Sequence, residues 1–177
     1  MRNLFKITGL ILQKKSLLKN DYLITVFTKE FGKISVFAKG IKKITSRRLS
    51  HLETGNLIRA IISQKNNYFY LNETNLISGF SSIKKHQKKG RSLYYILYLI
   101  SALLPEEQKN RSLYQLLIKN LILLNKLKKE KIEEFKKNFT KDMLIDLGYL
   151  NNNHHNADKV YRKVEEIMNK KIPSYII

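Results

Sequence analysis

Five cations fall within ten residues of the segment AKGIKKITSRR: Lys39, Lys42, Lys43, Arg47 and Arg48, with no acid among them. A run of like charges repels itself unless an anion lies across it, and neutralising phosphates is the chemistry such a run performs. Gly40 and Ser46 let the segment bend along a phosphate backbone. A second cluster, Lys84, Lys85, His86, Lys88, Lys89 and Arg91, either extends the same surface or is a charged, solvated linker. A third, at Lys126, Lys128, Lys129, Lys131, Lys136 and Lys137, is interleaved with Glu130, Glu133 and Glu134 and reads as a solvated, ion-paired helix face.

Aromatic rings supply the complementary interaction, since bases stack on them at about 1 to 3 kcal/mol per base. Tyr68, Phe69 and Tyr70 are consecutive, so strand alternation sends Tyr68 and Tyr70 to one face and Phe69 with Leu71 to the other. One face must be core, which leaves Tyr68 and Tyr70 as candidate stacking residues. Other chemistry is thinly represented. There is no cysteine, hence no disulfide, thiol nucleophile or cysteine-held zinc. His154 and His155 are adjacent and point apart, so no metal site is expected. No glycine-rich phosphate loop or nucleophile elbow occurs. We expect a protein that is not an enzyme and needs no cofactor.

The whole chain is strongly basic. Its 177 residues carry 34 Lys plus Arg against 14 Asp plus Glu, a formal net charge of +20. Residues 1–80 hold 14 basic and 4 acidic residues, the remainder 20 and 10, so each part contributes +10. A polyanion partner follows from the scarcity of acids. The longest apolar stretch, Leu93 to Leu104, is 12 residues, whereas a membrane-spanning helix needs about 20. A cytoplasmic, monomeric protein without a membrane role is expected.

These residues must be positioned by two kinds of element. Up to about residue 80 the chain alternates short β-branched and aromatic runs with turn residues, predicting strands over 7–13, 22–28, 34–39, 57–64 and 68–72. Gly32 suits a tight hairpin between the second and third, and Asn66 with Asn67 joins the fourth and fifth. Five strands with a long loop over 40–51 fit an OB-type barrel, with an SH3-like barrel as the alternative. Beyond residue 80 the period becomes helical, predicting helices over 92–104, 112–127, 131–147 and 157–169, with Gly148 closing the third. Helix 112–127 reads as mostly buried, and Glu106 with Glu107, after Pro105, favours its N-terminal end.

The segments TGLILQ and DYLITVFTKEFGKISVFAKGIKK, with SRR following, resemble the N-terminal region of the RecO family of recombination mediators. YFYLNETNLISGF, LLPEEQKNRSLYQLL and LIDLGY continue the likeness in the family's order over most of residues 8 to 150. The resemblance implies an α+β chain: an N-terminal five-stranded OB-fold over 1–80 and a helical C-terminal domain over 81–177. It implies a mediator of DNA repair and homologous recombination that binds single- and double-stranded DNA and anneals complementary strands. It further implies action at the nucleoid with RecR and with the C-terminal tail of single-stranded-DNA-binding protein, in loading RecA. For such an acidic tail an apolar pocket rimmed by Lys on the helices is expected. Lys39, Lys42, Lys43, Arg47 and Arg48 lie in matching segments and are expected to contact the DNA backbone. Two departures stand out. Tyr22 occupies the position of a frequent Arg, and LGYLNNNHHNADKV replaces the cysteine zinc module of many relatives, implying a short form without that zinc. An RNA-binding or ribosome-associated OB protein is the alternative reading of the same charge and rings.

Overall fold

The computed structural model describes residues 3–18, 21–40, 48–151 and 157–174. These form an α+β chain of two compact units: 1–80 together with 104–110, and 81–103 together with 111–177.

In the first unit the strands are β1 (Asn3–Ser16), β2 (Tyr22–Thr28), β3 (Gly32–Ala38), β4 (Leu57–Lys65) and β5 (Tyr68–Ser78). They follow the order β1-β2-β3-β5-β4 and close into a barrel through β4 on β1. Every pairing is antiparallel except β3 with β5, which is parallel and confined to Val36 beside Phe69 and Phe37 beside Tyr70. Ile7, Ile11, Ile24, Val26, Ile34, Val36, Ile58, Ile62 and Phe69 fill the core from alternate positions. A short helix, α1 (Arg48–His51), leads to the buried Leu52.

Both predicted turns have the backbone their residues suggest. Gly32 has φ +75°, and Thr28 Oγ1 accepts from the Phe31 N–H and donates to the Gly32 carbonyl, each at 2.9 Å. Asn66 and Asn67 have φ 49° and 62° between the paired Lys65 and Tyr68, the conformation a two-residue hairpin requires. Strands β1 and β5 extend beyond the predicted runs because strand pairing continues through polar stretches such as Glu73 to Asn75, past a bulge at Asn72.

The second unit contains α2 (Ser81–Lys85), α3 (Gln87–Leu103), α4 (Arg111–Lys126), α5 (Ile132–Asp146) and α6 (Ala157–Met168). Gly148 ends α5 at φ +76°, where the Tyr149 N–H reaches the Leu144 carbonyl at 2.8 Å. Three expectations are corrected. Residues 84–91 are not a linker; Lys84 and Lys85 end α2, and residues 87–91 begin α3 directly after His86. Helix α4 buries Leu113, Leu117, Leu121 and Leu124, yet leaves Ile122 and Leu123 51% and 46% exposed, so its apolar surface is wider than its buried stripe. Lys136 is not solvated: it is buried, pairs with Glu133 at 2.9 Å and lies 5.8 Å from the Tyr95 ring centroid. Among the described residues, no helix is long and apolar enough to cross a membrane.

Candidate nucleic-acid interface

Alternation along β3 buries Ile34, Val36 and Ala38 and turns Lys33, Ser35 and Phe37 outward, with Lys39 continuing the outer row one residue past the strand. The parallel contact with β5 sets Phe37 beside Tyr70. Their rings lie 5.7 Å apart at 28°, and Tyr68 meets Phe37 edge-on at 5.7 Å and 78°. Tyr68 is 56% exposed. Lys39 Nζ sits 5.0 Å from the Tyr70 ring centroid, an attraction worth about 0.5–1 kcal/mol at an exposed site. The order along this face is therefore Tyr68, Phe37, Tyr70, Lys39.

These residues floor a groove of about 510 Å³. Its rim includes Lys65 and Asn66 of the β4–β5 hairpin, with Ser63 donating to Asn72 Oδ1 at 2.9 Å. Among the described residues, no acid lines it. Exposed ring faces between two ammonium groups can stack bases while the cations meet the flanking phosphates.

The predicted residues separate into groups. Lys39, Tyr68 and Tyr70 come together in this groove, joined by Phe37, Lys65, Asn66 and Asn72, which were not anticipated. Lys42, Lys43 and Arg47 lie outside the described residues, and Arg48 opens α1. The ends of that basic loop are nonetheless anchored. The Gly40 N–H donates to Asp21 Oδ1 at 2.7 Å, and the buried Asn56 holds the far end by donating to the Ser50 and His51 carbonyls, both at 3.0 Å. Tyr22 is half-buried against the core with Lys14 Nζ 5.3 Å from its ring centroid.

The basic segment of the second unit is arranged differently. Lys85, Lys88 and Arg91 are exposed and Lys84 is half-buried. Lys89 Nζ donates to the Asn125 carbonyl at 2.8 Å, where a cation suits the C-terminal end of α4. A groove of about 440 Å³ between α4 and α5 is lined by Lys119, Asp142, Asp146, Leu116 and Ile145. Burial raises the Asp142 carboxyl above its usual range, against the pull of Lys141 and Lys119. With two carboxylates this groove is not the Lys-rimmed pocket expected for an acidic tail. Lys119, Ile122, Leu123 and Lys126 do form an exposed apolar pair flanked by lysines on α4.

Residues 104–110 depart most from expectation. Instead of favouring the start of α4, Glu106 and Glu107 dock on β3: Lys33 bridges to Glu106 in parallel fashion, and the Glu107 N–H donates to the Lys33 carbonyl at 2.8 Å. Ser35 Oγ donates to Glu106 Oε1 at 3.2 Å. The β3–β5 pairing is short, so this stretch of β3 edge is open to a second strand-like partner. Burial lowers the Lys33 ammonium below its usual value, partly offset by Glu106.

Residues 1–80 match the family described as "Recombination protein O N terminal". Over residues 1–80 the chain is similar to the RecO family. The DNA repair protein RecO of Caldanaerobacter subterraneus subsp. tengcongensis is 30% identical over 105 residues, covering 59% of this chain and 42% of that protein. That of Clostridium acetobutylicum is 30% identical over 146 residues, 82% of this chain and 59% of the relative. That of Clostridium novyi is 28% identical over 147 residues, 83% and 57%. The chain thus spans about half the length of the curated relatives it matches. Among solved structures, a complex of TiaS with an isoleucine tRNA, AMPCPP and agmatine is similar with a TM-score of 0.37 at 16% identity, over 43% of this chain and 19% of that one. The groove described above lies wholly within the residues that match the RecO N-terminal family.

Proposed function

We propose that this chain is a non-catalytic mediator of DNA repair and recombination whose barrel, read as an OB-fold, holds single strands for annealing. The observation that carries the reading is the acid-free groove in which Phe37, Tyr68 and Tyr70 lie between Lys39 and Lys65. Two complementary strands repel each other, and a surface that releases counterions from both lowers that barrier. Lys42, Lys43 and Arg47, which follow Lys39 in the sequence, supply further cations for duplex as well as single-stranded DNA.

Docking of single-stranded-DNA-binding protein through its acidic C-terminal tail is supported by the exposed Ile122–Leu123 pair flanked by Lys119 and Lys126. Action with RecR and loading of RecA at the nucleoid follow from the family alone.

The test is fluorescence anisotropy of the full chain with labelled DNA across a salt series, alongside an annealing assay and an RNA competitor of the same sequence. The reading expects log affinity to fall linearly with log salt, at about 0.7 per single-strand phosphate contacted, and annealing to accelerate. Salt-independent affinity, or RNA outcompeting DNA, would overturn it.

A further inference from the structure

Helix α3 buries Leu93, Tyr95, Ile96, Leu99 and Ile100 and turns a different set of residues to solvent. Lys88, Arg91 and Tyr94 recur every third residue, which places them on one face, and Tyr98 follows four residues on. Lys88 and Arg91 are exposed, and Tyr94 is 48% exposed although its neighbour Tyr95 is fully buried. At the far end of this row Lys170 Nζ lies 5.6 Å from the Tyr98 ring centroid. Among the described residues, no carboxylate pairs with Lys88 or Arg91, and residues 81–103 contain no acid at all. A solvated basic face is built otherwise: on α5 the lysines alternate with Glu133 and Glu134, and Lys136 pairs with Glu133. Glu165 and Glu166 precede Lys170, but Glu165 accepts from the Ile172 N–H at 2.9 Å and Glu166 pairs with Lys163 at 3.4 Å.

Resting on the annealing reading, we propose that this face of α3 is a second single-strand site, separate from the groove, so that one chain carries both strands to be paired. The planar Arg91 guanidinium and the Tyr94 ring offer surfaces on which bases stack, while Lys88 and Lys170 meet phosphates on either side. From Lys88 to Tyr98 the row runs about 15 Å at the helical rise, enough for about four nucleotides at about 3.4 Å each. With fewer open rings than the groove, it holds its strand more weakly. Carrying both strands on one chain turns a bimolecular encounter into an intramolecular one, and the weaker grip lets the paired product leave.

The experiment titrates the full chain by calorimetry with an oligothymidylate of about eight nucleotides, a length within the site sizes of such barrels, and counts strands bound per chain. Thymidylate does not pair with itself, so each bound strand reports one site. Wild type, the double variant Arg91→Gln with Tyr94→Ala, and Tyr70→Ala are compared. Arg91 and Tyr94 are exposed, so Tm should not move; Lys88→Gln with Arg91→Gln, which keeps the ring, is the second variant should it do so. Wild type is expected to bind two strands, the second more weakly. The α3 variant should bind one, with the tighter wild-type affinity, and should anneal complementary strands at least about fivefold more slowly. One strand per wild-type chain, or two on the α3 variant, overturns the second site. If the α3 variant loses a strand while Tyr70→Ala binds both as wild type does, the groove reading falls and the α3 site stands. If Tyr70→Ala loses the tighter strand and the α3 variant loses none, only the α3 site falls.

Discussion

Residues 33–39 of the barrel and residues 84–91 of the helical unit are both basic, and the second segment carries the denser charge. Yet the two arrange their cations differently. On a strand every second residue points the same way, so Lys33, Ser35, Phe37 and Lys39 form one row, and a neighbouring strand adds Tyr68 and Tyr70 to it. On a helix successive residues fan out by about 100° each, so Lys88 and Arg91 share a face while Lys89 turns to the end of α4. Charge density alone thus says little about binding; the period of the element carrying the charge decides whether it converges.

Substitutions in the two segments should differ in both size and kind of effect. The largest effect belongs to the rings. Tyr70→Ala should lose about 1 to 3 kcal/mol of single-strand affinity, about 5- to 150-fold, with far less change for duplex; equal losses on both would erase the distinction between the two segments. Next is Lys89→Met, expected to lower stability by about 1 kcal/mol, or about 2–4 °C in Tm, because the Asn125 carbonyl loses its donor. Its DNA salt slope should not change, and calorimetry beside anisotropy reads both. The contrast breaks if this variant loses DNA affinity at unchanged Tm. The smallest effect is that of Lys39→Gln, which should flatten the single-strand salt slope by about 0.7 and weaken binding only a few-fold.

Much of the barrel was legible in the sequence because its local signals agree: β-branched alternation, Gly32 and the Asn66–Asn67 turn each demand what the fold supplies. Phe37 was missed although its signal was present, since Ser35 and Lys39 share its parity in the strand and mark the outward face. The docking of Leu104–Asn110 was not legible, because a segment between two helices gives no local sign of the edge it will cover. The helical start at 81–91 was hidden by lysines that mask the apolar period around Ile83 and Leu93. Likewise, the apolar surplus of α4 at Ile122 and Leu123 cannot be told from core by periodicity alone.

The central claim is that aromatic stacking on the β3–β5 face, and not charge alone, holds single strands. Its most direct measurement is the affinity of the full chain and of Tyr70→Ala for one labelled strand and for its duplex, across the same salt series. The account predicts that the substitution lowers single-strand affinity at least about fivefold at every salt concentration and leaves the duplex nearly unchanged. Equal affinity of the two proteins for the single strand would contradict it.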